Sequence, residues 1–539
     1  MRSLDKRATR RSPPHFLVPT KGCHLKSFPA LLAFLLLAPS LALPVEVPKS
    51  ARRLTLAQRI EAILRRSEAR RGHWGIEVVR LSDGRVLYTR NAEQLFLPAS
   101  NMKLFTTAAA LERLGPDFRF RTTVEAESPP DSAGCVRDLY LVGRGDPNLG
   151  HRVLPDQPRP PSQEPADAIL QELAAQVADK GVREITRNLF ADDSYFLYEP
   201  FCRGWEQDDL PWGYAAPVTA LAFNDNALLI RFAPGAAVGE TARVDLEPFG
   251  DYYQLNNRLA TGAAGTQNRI FIERKAGLKQ LDIWGEIAAD AEPDEDSVSI
   301  DDPPRWAGEL FRRALEARGI SVRGQVEVRH VTGVEAAARP AAFPPSPARV
   351  VLAEHVSAPL AEDIKIINKF SHNLHVEMLL RTLGKEVKNY GSLTTGLEAL
   401  REFAAQAGIE EDEAIFADGS GLSRHSLIAP RALIKLLRHM AKSPQLETFL
   451  ASLPVAGVDG TLDERFIGTA ARGRIRAKTG TMEHVNALSG YMDLPSGERL
   501  VFSIMGNNHL MRSSEGAAVV DRIVLAIYHH FGGGRGKGM

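Results

Sequence analysis

The feature that most constrains the fold of this chain is a change in sequence character at two points. A hairpin-like segment and a helix precede Gly115-Pro116, and short β-like runs then recur from Phe118 to about Val350. Helical periodicity returns at Ser357 and lasts to about Leu453, after which three strand-like runs and a last helix follow. Sheets and helices need partners that bury their apolar faces. We therefore predict one domain built from both ends of the chain, with a long β-rich insertion between its two parts.

The outer parts of the chain predict a single antiparallel sheet. Asp83-Gly84, between the β-rich runs of the segment Trp74–Arg90, is a strong hairpin signal. A helix is predicted from about Ser100 to Leu114. The C-terminal elements are three strands at Gly473–Thr479, Val485–Met492 and Arg499–Met505, and an amphipathic helix at Ser513–Tyr528. These elements predict an α+β fold class, in which a five-stranded antiparallel sheet packs against helices.

The middle segment, residues 118–350, is predicted to be β-rich and to form one or two subdomains. One clear helix interrupts it, with Asp302 as N-cap, Pro303 in the first turn and Gly319 as its C-terminal stop. Two Pro-rich stretches, Leu154–Pro165 and Arg339–Pro347, are typical of linkers or surface loops. The predicted strands are Phe118–Glu125, Val136–Val142, Ala227–Phe232, Ile270–Glu273 and Leu281–Ile287.

The N-terminus predicts export. Basic residues precede an apolar run from Ala30 to Ala38, and Ser40-Leu41-Ala42 offers a small-x-small cleavage pattern. This is the order of a secretory signal peptide, which we assign to residues 1–42. The alternative is a membrane anchor, but a span needs about 20 apolar residues and this run is shorter. We expect a periplasmic protein without an integral membrane span after cleavage, and a disordered tail at residues 533–539.

Charge and cysteine content limit the function classes. Lys+Arg and Asp+Glu are both 66, so no basic excess indicates a nucleic-acid partner. Cys135 and Cys202 remain after cleavage, and they could form a disulfide or stay as two separate thiols. The sequence shows no zinc-ligand spacing, calcium-loop pattern or dinucleotide fingerprint, so no metal and no cofactor are expected. The oligomeric state stays open.

Three short motifs contain residues suited to nucleophilic chemistry. Residues three apart on a helix share a face, so the Lys103 amine can lie beside the Ser100 hydroxyl. A serine is a weak nucleophile until a base takes its proton. Lys103 can be that base only if burial, a nearby cation such as Lys478, or the helix dipole lowers its pKa. The motifs are Ser100-Asn101-Met102-Lys103, Ser371-His372-Asn373 and Lys478-Thr479-Gly480-Thr481.

Each motif alone also has a simpler interpretation. Ser100 could be an N-cap, Lys103 a solvated surface lysine, and the second motif a helix cap. The third could be an exposed strand end followed by a bend. Their order and contexts favour chemistry, because they fall at a helix start, in an interhelical loop and on a strand before a sheet meander.

In these motifs the sequence resembles the penicillin-binding proteins and serine β-lactamases, and more closely their D-alanyl-D-alanine carboxypeptidase/endopeptidase (DacB-like) branch. The 271-residue spacing from Ser100 to Ser371 also resembles that branch. The resemblance covers about Leu56 to Tyr528. Its further segments are Gly143–Pro147, Pro217–Leu221, Asp418–Arg424 and Leu453–Gly457.

The resemblance implies a role for each motif residue and a division of the chain into domains. A catalytic domain is expected at residues 43–117 and 351–532, interrupted by the insertion at 118–350. Ser100, Lys103 and Ser371 would be the nucleophile, the base and a proton relay. His372 replaces the usual Asp of the second motif, and we expect it to be a spacer or local hydrogen-bonding residue. The expected substrate-binding residues are Asn373, Lys478, Thr479, Gly480 and Thr481.

The implied function is hydrolysis of D-Ala-D-Ala-type bonds in peptidoglycan peptides during cell-wall remodelling, with β-lactams as covalent inhibitors. Two alternatives stay open, a serine β-lactamase and a non-catalytic cell-wall-binding scaffold. A β-lactamase needs a base for rapid deacylation, and the sequence contains no recognisable motif for one. The sequence does not separate carboxypeptidase from endopeptidase activity.

Overall fold

The computed structural model describes residues 54–150, 165–275, 277–338 and 348–532. The predicted signal peptide, the predicted tail and nearly all of the two Pro-rich stretches lie outside these residues. Within the described ranges, no helix is long and apolar enough to cross a membrane.

The described residues include eleven α-helices and 21 strands. The helices are α1 (Leu56–Leu64), α2 (Lys103–Arg113), α3 (Ala168–Asp179), α4 (Pro303–Ala317), α5 (Gly333–Ala338), α6 (Leu360–Lys369), α7 (Asn373–Lys388), α8 (Leu393–Gln406), α9 (Pro430–Met440), α10 (Leu446–Ser452) and α11 (Ser513–Gly532). The strands are β1 (His73–Arg80), β2 (Val86–Arg90), β3 (Arg121–Ala126), β4 (Cys135–Val136), β5 (Leu139–Val142), β6 (Glu184–Ile185), β7 (Leu189–Leu197), β8 (Ala227–Ala233), β9 (Arg243–Glu247), β10 (Gln254–Gly262), β11 (Arg269–Arg274), β12 (Gln280–Ala288), β13 (Asp294–Ser299), β14 (Ser321–Val322), β15 (Val326–Val331), β16 (Val350–Val356), β17 (Ala414–Ile415), β18 (Leu427–Ile428), β19 (Ile475–Met482), β20 (Val485–Asp493) and β21 (Arg499–Asn507).

Both ends of the chain build one antiparallel sheet, as the sequence predicts. Its strand order is β19-β20-β21-β1-β2, and β1 pairs along its whole length with β21, with Ile76 opposite Ile504. The hairpin turn before β2 contains Gly84 at φ 72°, a left-handed conformation that glycine adopts without strain. The prediction of a five-stranded antiparallel sheet in an α+β fold is confirmed.

Helices cover both faces of this sheet. On one face, α1 and α11 pack on side chains such as Leu488 and Phe502. On the other face, α2 and helices α6 to α10 form a second apolar cluster with Tyr491 and Met505. Since strands covered on both faces are apolar on both, β20 and β21 are buried along nearly their whole length. The sheet therefore gives α2 a rigid support.

The middle segment has its own apolar core, between Val124 and Ala353. It contains a mixed five-stranded sheet, β15-β7-β5-β3-β16, and three three-stranded sheets, β14-β6-β4, β13-β8-β9 and β10-β12-β11. Helix α4 begins and ends as predicted, because the Asp302 side chain accepts a hydrogen bond from the Arg305 N–H and Gly319 has φ 79°. The additional strands show that the segment is β-rich.

Two predictions for the middle segment are wrong in detail. The segment contains α3 and α5 in addition to α4. The buried face of α3 consists of Leu170, Leu173, Ala174 and Val177, a helical spacing that the sequence already shows. The predicted strand Val136–Val142 is two strands in different sheets, β4 and β5. Asp138 lies between them and accepts a hydrogen bond from the Asn188 N–H at 2.9 Å.

The middle segment also packs against α7. Phe196 and Val218 of the middle segment form an apolar cluster with Leu374 and Met378 of α7. The contact lies directly after the second motif, so the two parts of the chain meet beside it.

Cys135 and Cys202 are both free thiols, which selects separate thiols over a disulfide.

Candidate active site

Ser100 lies on a 3₁₀ turn, Ala99–Met102, that leads into α2. Neither this turn nor α2 has a side-chain cap, so Ser100 is not an N-cap serine. Ala99 has φ 45°, an uncommon backbone conformation for a residue with a Cβ, and such strain concentrates at functional sites. Ser100 is partly exposed while Lys103 is completely buried. The turn therefore presents the hydroxyl to solvent and the amine to the interior.

The Lys103 amine connects two of the three motifs. Its Nζ lies 2.8 Å from Ser100 Oγ and donates to Asn373 Oδ1 at 2.6 Å and to the Ser420 carbonyl oxygen at 2.8 Å. Burial lowers the pKa of Lys103 from 10.5 to about 7, although the carboxylates of Asp418 and Glu377 act in the opposite direction. A surface lysine is thereby excluded. The lowered pKa comes from burial rather than from the neighbouring cation that the sequence suggests.

The second motif forms the connection between α6 and α7. Ser371 has φ 61°, another left-handed non-glycine residue, and Asn373 begins α7. His372 is the N-cap residue, and no side chain caps the helix, so a capping role for this motif is excluded. Asn373 Nδ2 donates to the Tyr214 carbonyl oxygen at 2.8 Å. Asn373 therefore links Lys103 to the middle segment.

The third motif lies on β19, the edge strand of the sheet beside the Ser100 turn. Lys478 is completely buried, and its Nζ donates to the Thr479 carbonyl oxygen at 3.0 Å. Asn101 Nδ2 donates to the Lys478 carbonyl oxygen at 3.1 Å. A Cβ on Gly480 would lie 2.7 Å from the Pro98 carbonyl oxygen, so only glycine allows this approach.

The threonines of the third motif differ in exposure. The hydroxyls of Thr479 and Thr461 are 2.8 Å apart and hydrogen-bonded, whereas Thr481 is exposed at the end of the motif. Direct contacts therefore join the first motif to both of the others. Ser371 lies near these residues because it is two positions before Asn373 in the same connection. Thr481 lies near them because it follows Lys478 on β19.

The sequence analysis does not predict a buried turn, Asp418–Ser423, whose backbone hydrogen-bonds the Lys103 amine. The Ser420 carbonyl accepts from Lys103, and Glu377 Oε1 accepts from the Gly419 and Ser420 N–H groups at 2.9 and 2.8 Å. Burial raises the pKa of Glu377. Asp418 closes the same turn by accepting from the Ser423 N–H at 2.7 Å.

Two signals in the sequence could have revealed this turn. Glu377 lies four residues after Asn373, so both project from one face of α7. The second signal is a short polar run typical of a turn, Asp418-Gly419-Ser420-Gly421. It lies within a segment that carries the resemblance to the family, although no site role is expected for it from the sequence. No comparable signal marks Tyr214, which contributes only a backbone carbonyl.

A serine–lysine pair at the start of a buried helix, on an antiparallel sheet covered by helices on both faces, defines the class of penicillin-binding proteins and serine β-lactamases. Within that class, the chain belongs to the D-Ala-D-Ala carboxypeptidase 3 (S13) family, which it matches over residues 56–527. The match covers all three motifs and the middle segment between them.

Individual relatives agree with this assignment. The chain is 41% identical over 480 residues to a D-alanyl-D-alanine carboxypeptidase of Actinomadura sp. (strain R39), covering 87% of this chain and 84% of the relative. It is 25% identical over 438 residues to D-alanyl-D-alanine carboxypeptidase DacB of Haemophilus influenzae, covering 79% and 84%. The solved structure of penicillin binding protein 4 (dacB) from H. influenzae has the same fold, with a TM-score of 0.73 at 23% identity, covering 87% of this chain and 99% of that one.

Proposed function

We propose that this protein is a serine peptidase that cleaves the bond between two D-alanines in peptidoglycan peptides, with Ser100 as nucleophile and Lys103 as base. The observation that carries the proposal is the Lys103 amine, 2.8 Å from Ser100 Oγ, completely buried, with a pKa of about 7. A base is most effective when its pKa lies near the working pH. Membership of the carboxypeptidase family supports the substrate class.

The proposed reaction passes through an acyl-enzyme. Ser100 Oγ attacks the carbonyl carbon of the penultimate D-alanine, and its proton moves to Lys103 Nζ. The C–N bond breaks, and the departing amine receives that proton through the Ser371 hydroxyl. Water then attacks the ester, its proton passes to Lys103, and Ser100 regains its hydroxyl hydrogen. Removal of a terminal D-alanine and cleavage of a cross-link are the same chemistry on different leaving groups.

The substrate-binding roles follow from the third motif. Lys478, with the hydroxyls of Thr479 and Thr481, would hold the terminal carboxylate, because an amine and two hydroxyls supply hydrogen-bond donors to an anion. Asn373 would bond the peptide backbone. The N–H groups of Ser100 and Thr481 would stabilise the oxyanion. A β-lactam presents a similar carbonyl and carboxylate, and a β-lactam complex is known for H. influenzae penicillin binding protein 4.

Location and domain division belong to the same proposal. The basic and apolar segments within residues 1–42 support export to the periplasm, where peptidoglycan peptides are accessible. We assign catalysis to residues 43–117 and 351–532, and we assign shaping of the substrate groove to the insertion at 118–350. The Asn373–Tyr214 hydrogen bond supports this division, because the insertion reaches a motif residue there.

The test is intact-mass analysis after exposure to benzylpenicillin, followed by peptide mapping. The matched control is Ser67→Ala, which removes the hydroxyl of an exposed serine that precedes β1. Wild type and this control should each carry one adduct on Ser100. Ser100→Ala should carry none while keeping the melting temperature of the wild type. Labelling that persists in Ser100→Ala would refute the assignment.

Two other outcomes distinguish the alternatives. No wild-type adduct with hydrolysed drug would indicate a β-lactamase, and no adduct with intact drug would indicate a scaffold. Release of D-alanine from a pentapeptide, compared with cleavage of a cross-linked muropeptide dimer, then separates carboxypeptidase from endopeptidase activity.

A further inference from the structure

A cluster of metal-ligand side chains lies beside the second motif. His372 is the N-cap of α7 and His375 lies in its first turn, and Asp225 approaches both from the middle segment. Asp225 Oδ1 lies 3.0 Å from His375 Nε2, and Asp225 Oδ2 lies 3.3 Å from His372 Nε2. One ligand atom from each of the three residues lies within 4.8 Å of the other two.

The backbone around Asp225 is held in an unusual conformation. Asn224, Asp225 and Asn226 have φ 47°, 58° and 53°, three left-handed residues in a row without a glycine. Asn226 Nδ2 holds the turn by donating to the Pro217 carbonyl oxygen at 2.8 Å. Asn and Asp adopt this conformation more readily than other non-glycine residues, so this sequence suits the turn. The turn directs a carboxylate toward the two imidazoles.

A second carboxylate orients His375. Its Nδ1 lies 2.6 Å from Asp363 Oδ1, and both side chains are buried. When Nδ1–H donates to Asp363, the Nε2 atom of a neutral His375 carries a lone pair that faces Asp225 Oδ1. Two acceptors 3.0 Å apart need a positive charge between them, which either a second imidazole proton or a metal ion supplies. The carboxylate–histidine arrangement is the one that supports histidine ligands in zinc sites.

We propose that His372, His375 and Asp225 bind one zinc-class divalent ion, with water completing the coordination. Two imidazole nitrogens and one carboxylate oxygen suit Zn²⁺, whereas Ca²⁺ and Mg²⁺ require mostly oxygen ligands. Ligand atoms at about 2.0–2.1 Å from a tetrahedral ion are roughly 3.3 Å apart. Each Nε2 atom lies at about this distance from the Asp225 carboxylate, 3.0 Å from Oδ1 for His375 and 3.3 Å from Oδ2 for His372. The proposal goes beyond the peptidase function and does not depend on it.

The ion would join two parts of the chain at the active site. His372 stands between Ser371 and Asn373, so a metal on its imidazole fixes the turn that carries both. Asp225 belongs to the turn before β8 in the middle segment. The ion therefore holds that turn against the start of α7, while its ligands are separate from the residues proposed to contact substrate.

Equilibrium dialysis of the mature, tag-free protein tests the site. Chelator-stripped protein is dialysed against micromolar Zn²⁺ and its metal content is measured, and Co²⁺ substitution reports geometry through visible absorption. Wild type should bind one equivalent with tetrahedral-type bands. Asp225→Asn and His372→Asn should lose that equivalent. His439→Asn, which removes a partly exposed imidazole paired with Glu112, is the matched control and should retain it.

A supporting variant separates ligation from folding. Asp363→Asn should still bind one equivalent, with affinity reduced about 10- to 100-fold, because a supporting carboxylate tunes a ligand without being one. Zn²⁺ should raise the melting temperature of wild type and His439→Asn but not of Asp225→Asn. Unchanged stoichiometry in Asp225→Asn and His372→Asn, or binding only at millimolar metal, would overturn the proposal. Ser100→Ala should bind zinc like wild type, so failure here and failure of the proposed function are distinguishable.

Discussion

Lys103 shows how one buried residue sets the chemistry that this site can perform. Its Nζ has two acceptors, the Asn373 side chain and the Ser420 carbonyl, and one partner, Ser100 Oγ, whose proton it can take. Complete burial penalises the ammonium form, and the resulting pKa of about 7 leaves a substantial neutral fraction at neutral pH. The lysine is therefore ready to act as a base before substrate binds.

The pH dependence of acylation should report this pKa. Only the neutral amine can accept the Ser100 proton, so the second-order rate of acylation by benzylpenicillin should fall about tenfold per pH unit below about pH 7. Above that pH the rate should level off. Stopped-flow or mass-spectrometric rates across this range, with the melting temperature measured at each pH, provide the check. An inflection near the ordinary lysine pKa of 10.5 would contradict the assignment.

At this scale the sequence predicts the residues that make short-range patterns and misses those that depend on the fold. Ser100 and Lys103 form a local pair, and the structure places them in contact. Glu377 lies four residues after Asn373 on α7, but its hydrogen bonds to the Gly419 and Ser420 N–H groups depend on the fold. Asp225 is 150 positions from His375, and no spacing rule joins such distant ligands.

Among the elements, the 3₁₀ turn before α2 lies in close contact with the turn that contains Gly421. Gly421 has φ 78°, and a Cβ on it would lie 1.9 Å from the Ala99 carbonyl oxygen. The turn that carries Ser100 therefore rests on the turn that holds Lys103, and an added methyl group must push the two apart.

Gly421→Ala and Gly408→Ala form a matched pair that tests this contact. Gly408 has φ 77° with nothing within 4 Å of a new Cβ, so both variants share the backbone strain and only one adds a clash. We expect Gly408→Ala to lose about 1 kcal/mol in free energy of unfolding with acylation unchanged. Gly421→Ala should lose more, and its acylation rate should fall about 100-fold because the nucleophile moves. Denaturant titration and labelling rates measure both, and equal acylation rates would contradict the model of a supported turn.

Elements with strong local signals were predictable, and those without them were not. The hairpin at Asp83-Gly84 and the helix capped by Asp302 form where the sequence places them. Helix α3 was not predicted, although the sequence contains the helical spacing of its buried residues Leu170, Leu173, Ala174 and Val177. The strand predicted at Val136–Val142 fails because two charged residues, Arg137 and the buried Asp138, separate β4 from β5.

At the scale of the whole molecule, the middle segment contacts the catalytic motifs through α7. Phe196 packs on Leu374 and Met378, just after the second motif. Trp205 Nε1 also donates to Asp418 Oδ2 at 3.2 Å, in the turn beneath Lys103. Packing changes in the middle segment should therefore reach the site selectively, depending on where they occur.

Phe196→Ala and Phe311→Ala test that selectivity. Both side chains are almost completely buried, and Phe311 lies in the core of the middle segment. Each truncation should reduce the free energy of unfolding by about 3–5 kcal/mol. Only Phe196→Ala should slow acylation, by about tenfold or more, because it loosens the start of α7. Acylation rates measured well below the melting temperature decide the question, and equal slowing in both variants would show a general loss of stability instead.

Because β1 pairs with β21, the sheet cannot be completed until nearly the whole chain has been synthesised. Residues 73–80 leave the ribosome first among the strands, yet their partner at residues 499–507 is nearly the last segment made. At 5–20 residues per second, β1 waits roughly tens of seconds for that partner. Until then its apolar faces and unpaired edge depend on other proteins for protection. A message truncated just before Arg499 would therefore yield an aggregation-prone fragment, although all three motifs would be complete.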